Sequence, residues 1–273
     1  MELRFSSFPV LSSAAETVAA SPNPLPSPAA AVATAEALVP RLFAHAPHSD
    51  QEGGFPTEEF TWLRAAGLLT APLPASQGGA DLGQGAHTWP LLQVLRHVGR
   101  GNLAVGRVYE GHVNALQLIQ RFARPAQAAA WAADARAGHL FGVWNTEAED
   151  GVKLLPLPNG RYQLLGSKTF GSGASHLTRP LLTGALPDGG WQMLVLPADT
   201  LAPRYNPAFW RPLGMRATAS FRVDFTGLEI EAQHLLGQPG DYYRQPWFSG
   251  GAIRFAAVQL GGAQAVYDET RRF

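Results

Sequence analysis

Cysteine is absent from all 273 residues of the chain. That excludes disulfides, thiolate metal sites and cysteine nucleophiles together, and it suits a reducing, cytoplasmic setting. Lysine is almost as scarce, since Lys153 and Lys168 are the only lysines among 21 basic residues. Charge of one sign is missing too: 21 basic residues face 21 acidic ones. No basic face is therefore expected for nucleic acid or an anionic membrane. No apolar run approaches the roughly eighteen residues that a membrane span needs. The first residues, MELRFSSFPVLSSAAETVAA, have the outline of a signal peptide, but Pro9, several serines and Glu16 interrupt the apolar core, so secretion is not expected. His45 and His48 lie three apart without a third ligand or an HExxH pattern, so no metal is expected. No G-x-G-x-x-G follows a strand, and no G-x-S-x-G elbow surrounds Ser172 and the nearby His176.

What is present is a change of hydrophobic period. Residues 1–34 are rich in Ala, Ser and Pro and read as a flexible leader. From 35 to 138 the period is helical. AAVATAEALVPRLFAHA and TEEFTWLRAAG are followed by the loop LPASQGGADLG, and then by HTWPLLQVLRHVG, VGRVYEGHVNALQLIQRFA and PAQAAAWAADARAG. Pro56-Thr57 places a capping residue before the acidic first turn of the second helix. Between 139 and 240 the period shortens toward two. HLFGVWN, GRYQLLGSK, RPLLTGAL, WQMLVLP and SFRVDFTGLEI read as strands of an antiparallel sheet or barrel. From 241 to 273 the helical period returns, with an apolar stripe through Ile253, Ala256, Ala257, Leu260, Ala263, Val266 and Tyr267. The expected class is α+β: a helical amino-terminal domain, a β middle domain and the start of a helical carboxy-terminal region.

Two strand ends carry the chemistry. LFGVWNTE ends at Thr146-Glu147, and YQLLGSKTFGSG runs through Lys168, Phe170 and Ser172. Paired ends of this kind offer hydroxyls and backbone N–H groups to the polar edge of a planar ring, while Phe170 covers its face. A third segment, RPLGMRATASFRVDFTGLEI, follows at 211–230. Together the three segments resemble, in order and spacing, the TEP-x-x-GSD, G-x-K-x-W/F-I-T/S-N/G-G and LGMR-x-T motifs of the acyl-CoA dehydrogenase flavoprotein family. GLLTAPLPASQGG and RFAAVQLGGAQAVYDETRRF resemble two further elements of that family, the second being its first bundle helix. The resemblance covers about residues 35–273 and implies a chain holding only the start of the family's carboxy-terminal bundle.

The resemblance implies FAD as cofactor, held by Val143, Asn145, Thr146, Phe170, Gly171 and Ser172. It implies a small-molecule substrate of the acyl-CoA kind near Val152 and Arg254, and a homo-oligomer in the full-length protein. Departures from the motifs matter as much. Ala148, Val152 and Lys153 stand where the family has Pro, Ser and Asp, which places the usual thioester or pyrophosphate contact in doubt. Most family members carry the catalytic glutamate late in the bundle; a minority carry it just before the arginine matching Arg254, where this chain has Ile253. Isoleucine cannot accept a proton. The main expectation is an acyl-CoA dehydrogenase-like oxidoreductase lacking its base. The alternatives are a flavin-dependent monooxygenase of the same fold, which needs no such base, and a non-catalytic fragment. Glu110, as a pairing partner for His112 or a stand-in base, and Glu147 are further candidates, although His112 also reads as a helix-packing residue.

Overall fold

In a computed structural model of the chain, residues 24–51 and 54–273 are described. Most of the expected leader lies outside them, and the part that is described is already helical from Pro28. Ser27 caps that helix, α1 (Pro28–Ser49), its hydroxyl accepting from the Ala30 N–H at 3.2 Å. It is followed by α2 (Thr57–Ala65), α3 (Thr88–Gly101), α4 (Leu103–Phe122) and α5 (Pro125–Arg136). In α2 the cap position falls on Pro56, with no side-chain cap, and Thr57 is already helical. The expected cap is therefore one residue too late, and Thr57's backbone takes the first helical position.

The strands are β1 (Phe141–Trp144), β2 (Lys153–Pro156), β3 (Tyr162–Leu165), β4 (Ser167–Gly171), β5 (Arg179–Ala185) and β6 (Trp191–Val195). After the short helix α6 (Ala198–Leu201) come β7 (Arg204–Asn206), β8 (Phe221–Asp224), β9 (Glu229–Ile230) and β10 (Leu235–Leu236). The α+β class holds, but the sheet is neither a barrel nor purely antiparallel. β1 pairs with β5 in parallel, from Phe141 opposite Arg179 to Trp144 opposite Leu182. A seven-stranded sheet runs β10-β6-β5-β2-β3-β9 with β1 also on β5, and a separate sheet runs β4-β8-β7. Strand periodicity reports that residues are extended; it carries no information on which neighbour they pair with or in which direction.

The last helix, α7 (Trp247–Thr270), packs against α3 and α4. Its seam is not the apolar stripe expected from the sequence. Val258 and Gly261 are the buried positions, while Ile253, Ala256, Leu260, Ala263, Val266 and Tyr267 are exposed. Glycines decide this: a Cβ on Gly261 would collide with the Arg96 carbonyl, and one on Gly99 with the Val258 carbonyl. Backbones that approach so closely fix the helix face more firmly than apolar area does. One apolar cluster runs from Ala31 through Trp144 and Phe221 to Val258, crossing from helices to sheets. Among the described residues no helix is long and apolar enough to cross a membrane.

Candidate functional site

The turn after β1 and the far end of β4 lie side by side. Thr169 N–H donates to the Thr146 carbonyl at 2.9 Å, and Glu147 bridges Lys168 across the two segments. Beneath them Lys168 is fully buried and ion-paired with Glu147. Its ammonium also donates to Thr183 Oγ1 at 3.2 Å, and Thr183 donates to Asn145 Oδ1. Burial pushes the Lys168 ammonium below the usual lysine range, and the Glu147 carboxylate counters that. The other Glu147 oxygen accepts from the Val152 N–H at 2.9 Å and so shapes the 147–152 turn. Lys168 and Glu147 thus hold the backbone that presents Thr146. The Thr146 hydroxyl is exposed and has no hydrogen-bond partner among the described residues.

Phe170 reaches the surface through a bulge. Lys168 pairs with Val223 and Gly171 with Phe221, so three residues of β4 span two of β8. The bulge places Phe170 at φ +53° and leaves its side chain half exposed. Phenylalanine is rarely found in that conformation, and strained positions of this kind gather at functional sites. Edge-to-face contacts with Phe209 at 5.1 Å and Trp210 at 6.2 Å keep the ring in place. Gly171 fits there because a Cβ would press on Val223 at 3.0 Å.

Ser172 ends a directed chain of hydroxyls. Thr218 donates to the Met215 carbonyl at 3.0 Å, so it must accept from Ser220 at 2.7 Å. Ser220 must then accept from Ser172 at 2.9 Å. A hydroxyl has one proton and two lone pairs, so Ser172 is left as an acceptor toward any ligand. Thr146, unpaired, can donate. Ser220 was not picked out from sequence, although it sits two residues past Thr218 in the LGMR-x-T segment. Trp144 Nε1–H donates to the Ser172 carbonyl at 2.9 Å and fixes the backbone between the two motifs.

Val152 and Arg254 are not brought together. Val152 is fully buried, with Gly184 beside it, and offers no surface to a substrate. A valine at the family's serine position turns inward because it has apolar contacts to gain and no polar partner to seek. Arg254 instead joins α4. Its Nε donates to Asn114 Oδ1, and Asn114 Nδ2 donates to Glu110. Glu110 is buried and takes its second partner from Arg107 at 2.6 Å. Burial pushes the Glu110 carboxyl above the ordinary range, while Arg107 and Asn114 oppose the shift. His112 does not pair with Glu110. Its Nδ1 accepts from the Phe141 N–H at 3.1 Å, which makes Nε2–H the donor to the Leu69 carbonyl at 2.8 Å. It is a neutral bracket between loop and strand. Ile253, at the family's base position, is exposed. Asn114 was also missed, although Arg107, Glu110 and Asn114 form a polar stripe at helical spacing on a buried helix.

Residues 29–139 match the family model for the acyl-CoA dehydrogenase N-terminal domain. Dibenzothiophene monooxygenase of Mycolicibacterium goodii is 27% identical over 82% of this chain and 57% of its own length. The structure of FMN-bound TdsC from Paenibacillus sp. A11-2 superposes with a TM-score of 0.79 at 26% identity, covering 89% of this chain and 64% of that one. Butyryl-CoA dehydrogenase from Megasphaera elsdenii shares the fold, with a TM-score of 0.77 at 18% identity over 87% of this chain and 66% of its own. The chain is thus similar to the acyl-CoA dehydrogenase family in its amino-terminal region and, over most of its length, to monooxygenases that share this fold. It spans about three-fifths of the length of the curated relatives it matches.

Proposed function

We propose that the chain forms the flavin-binding part of a flavin-dependent monooxygenase, with FMN in place of the FAD expected from sequence. Ile253 carries this reading. Dehydrogenation of an acyl thioester needs a carboxylate at the α-carbon, and the family position available in this chain holds an alkyl group. Monooxygenation has no such requirement. The monooxygenase relatives and the FMN of the TdsC structure support the same choice.

The residues fit a flavin on their hydrogen-bonding pattern. An exposed, unpartnered donor at Thr146 and a proton-committed acceptor at Ser172 suit the alternating carbonyl and N–H groups of the ring edge. Phe170 supplies an aromatic face, with its strain offset by Phe209 and Trp210. When bound, reduced flavin supplies two electrons to dioxygen. The chain's own task is to orient the ring through Thr146, Ser172 and Phe170, and to hold those three still through Lys168, Glu147 and Ser220. The cytoplasmic location, the homo-oligomeric assembly and the division into domains at about 35, 139 and 241 belong to the same proposal.

The test mixes the purified chain with FMN or FAD and follows flavin fluorescence. FMN is expected to bind more tightly, and Thr146→Ala with Ser172→Ala to weaken it by about 2 kcal/mol, on the order of two hydrogen bonds. Unchanged binding in the double variant would remove the site assignment. Reduction of bound flavin by an acyl-CoA would remove the monooxygenase reading.

A further inference from the structure

Arg254 is tethered at one atom and free at two. Its Nε is committed to Asn114, whose amide is in turn fixed by Glu110, so the guanidinium plane has little freedom. The two terminal nitrogens make no hydrogen bond among the described residues. Arg254 borders a cavity between α4, β1 and α7, together with Leu118, Val143, Tyr242, Trp247 and Phe248. Val143 is the β1 residue two before Asn145, so this cavity adjoins the strand that presents Thr146.

Charge and size narrow what the cavity takes. Arg107 is ion-paired with Glu110, and Arg254 is linked to the same carboxylate only through Asn114, which leaves one positive charge in excess. The cavity is small, about 30 Å³, and open on one side, so a headgroup can sit in it with the rest of the ligand at its mouth. Beyond it Trp247 and Phe248 offer exposed aromatic surface. A planar guanidinium fork with two free nitrogens matches a planar or bidentate pair of oxygens, and aromatic rings at the mouth match an aromatic body.

We propose that Arg254 is a specificity-determining residue that binds the two-oxygen anionic headgroup, carboxylate or sulfinate, of an aromatic substrate. Asn114 and Glu110 are positioning residues that aim it. The proposal rests on the functional reading above, because it places this substrate beside the flavin strand. Headgroup binding itself does not need flavin, so the two can fail separately.

The probes are benzoate and benzenesulfinate, with benzyl alcohol and indole as neutral controls, titrated into the full chain without flavin. Tryptophan fluorescence and heat are both recorded, and FMN binding is measured on the same samples. The two anions are expected to bind at least about tenfold more tightly than the neutral controls. Arg254→Met should abolish that preference, and Arg254→Lys should reduce it, since an ammonium keeps the charge and loses the fork. Asn114→Leu should lower anion affinity without changing that of indole. Circular dichroism identifies a variant that fails to fold; Arg254→Lys, the mildest, then carries the comparison. Equal affinity for anions and neutral compounds, no binding of either anion, or an anion preference that survives Arg254→Lys unchanged would overturn the proposal. Arginine-dependent anion binding in a chain that binds no flavin would leave it standing and remove the flavin reading instead.

Discussion

At the scale of single residues, burial sets His112 and His176 apart from ordinary histidines. Burial lowers both from 6.5 to about 4. A group whose folded value is depressed binds fewer protons in the native state than in the unfolded one, so unfolding takes up protons between the two values. The stability that His112 and His176 hold as neutral rings is therefore complete above about pH 6.5 and is lost as pH falls toward 4. For the fully buried His112 this amounts to at most about 3 kcal/mol. Urea midpoints should fall between pH 6.5 and 4.5, and His112→Gln should flatten that slope; an unchanged slope would contradict the role of the bracket. Phe170 makes the opposite case. Its left-handed backbone costs roughly 1–2 kcal/mol that glycine would not incur. Phe170→Gly should leave the thermal midpoint of the chain unchanged or higher, while FMN affinity drops. A lower midpoint with intact flavin binding would show that the ring serves packing and not a ligand.

At the scale of elements, the pair Lys168–Glu147 joins β4 to the turn after β1 at a fully buried ammonium. Removing one partner of such a pair strands a buried charge, at a cost of about 3–5 kcal/mol. Glu147→Gln should therefore destabilise the chain more than Lys168→Met with Glu147→Leu together, measured by chemical denaturation. The reverse order would make the pair unimportant. How much of this was legible in the sequence differs by element. The strand-end placement of Phe170, Ser172 and Thr146 was legible in TFGSG and NTE, because turn residues and hydroxyls sit at strand ends for local reasons. Val152 was misplaced because its role came from a motif serine whose polar partners it cannot use. The parallel β1–β5 pairing could not be read, since it joins residues about forty apart through contacts that leave no local pattern. Asn114 and Ser220 each join a local partner, Glu110 or Thr218, to a distant one, Arg254 or Ser172, and the distant half of each link left no signal in the sequence. The face of α7 was misjudged for the same reason: glycine contributes nothing to an apolar stripe, yet Gly261 is where two backbones meet. Gly261→Ala should cost about 1–3 kcal/mol by overpacking against α3, with the loss seen in thermal unfolding. A neutral outcome would mean that α7 can slide on its neighbours.

At the scale of the whole molecule, the same choice of face leaves an apolar groove between α3 and α7. Trp89 lines it with Leu92, Ile253, Ala256 and Leu260, and Ile253 and Leu260 are 56% and 59% exposed. Contiguous apolar surface of this kind favours association, so the chain should self-associate with rising concentration in sedimentation. Leu260→Lys should reverse this without changing FMN binding, because the groove does not include Thr146, Phe170 or Ser172. Ile253 belongs to that groove and also to the family's base position, which allows chemistry to be separated from solubility. Ile253→Glu adds the carboxylate that α-proton removal would use, where general-base catalysis typically supplies a factor of about 10²–10⁴. It should improve solubility yet leave acyl-CoA oxidation undetectable with an artificial electron acceptor, since residue 253 lines the α3–α7 groove, which does not include Thr146, Phe170 or Ser172. Multiple turnovers of butyryl-CoA by the Ile253→Glu chain would show that only the base was missing and would return the molecule to dehydrogenase chemistry. Turnover by the unsubstituted chain would require a base elsewhere, and the buried Glu110, paired with Arg107 and Asn114, would be the first carboxylate to replace.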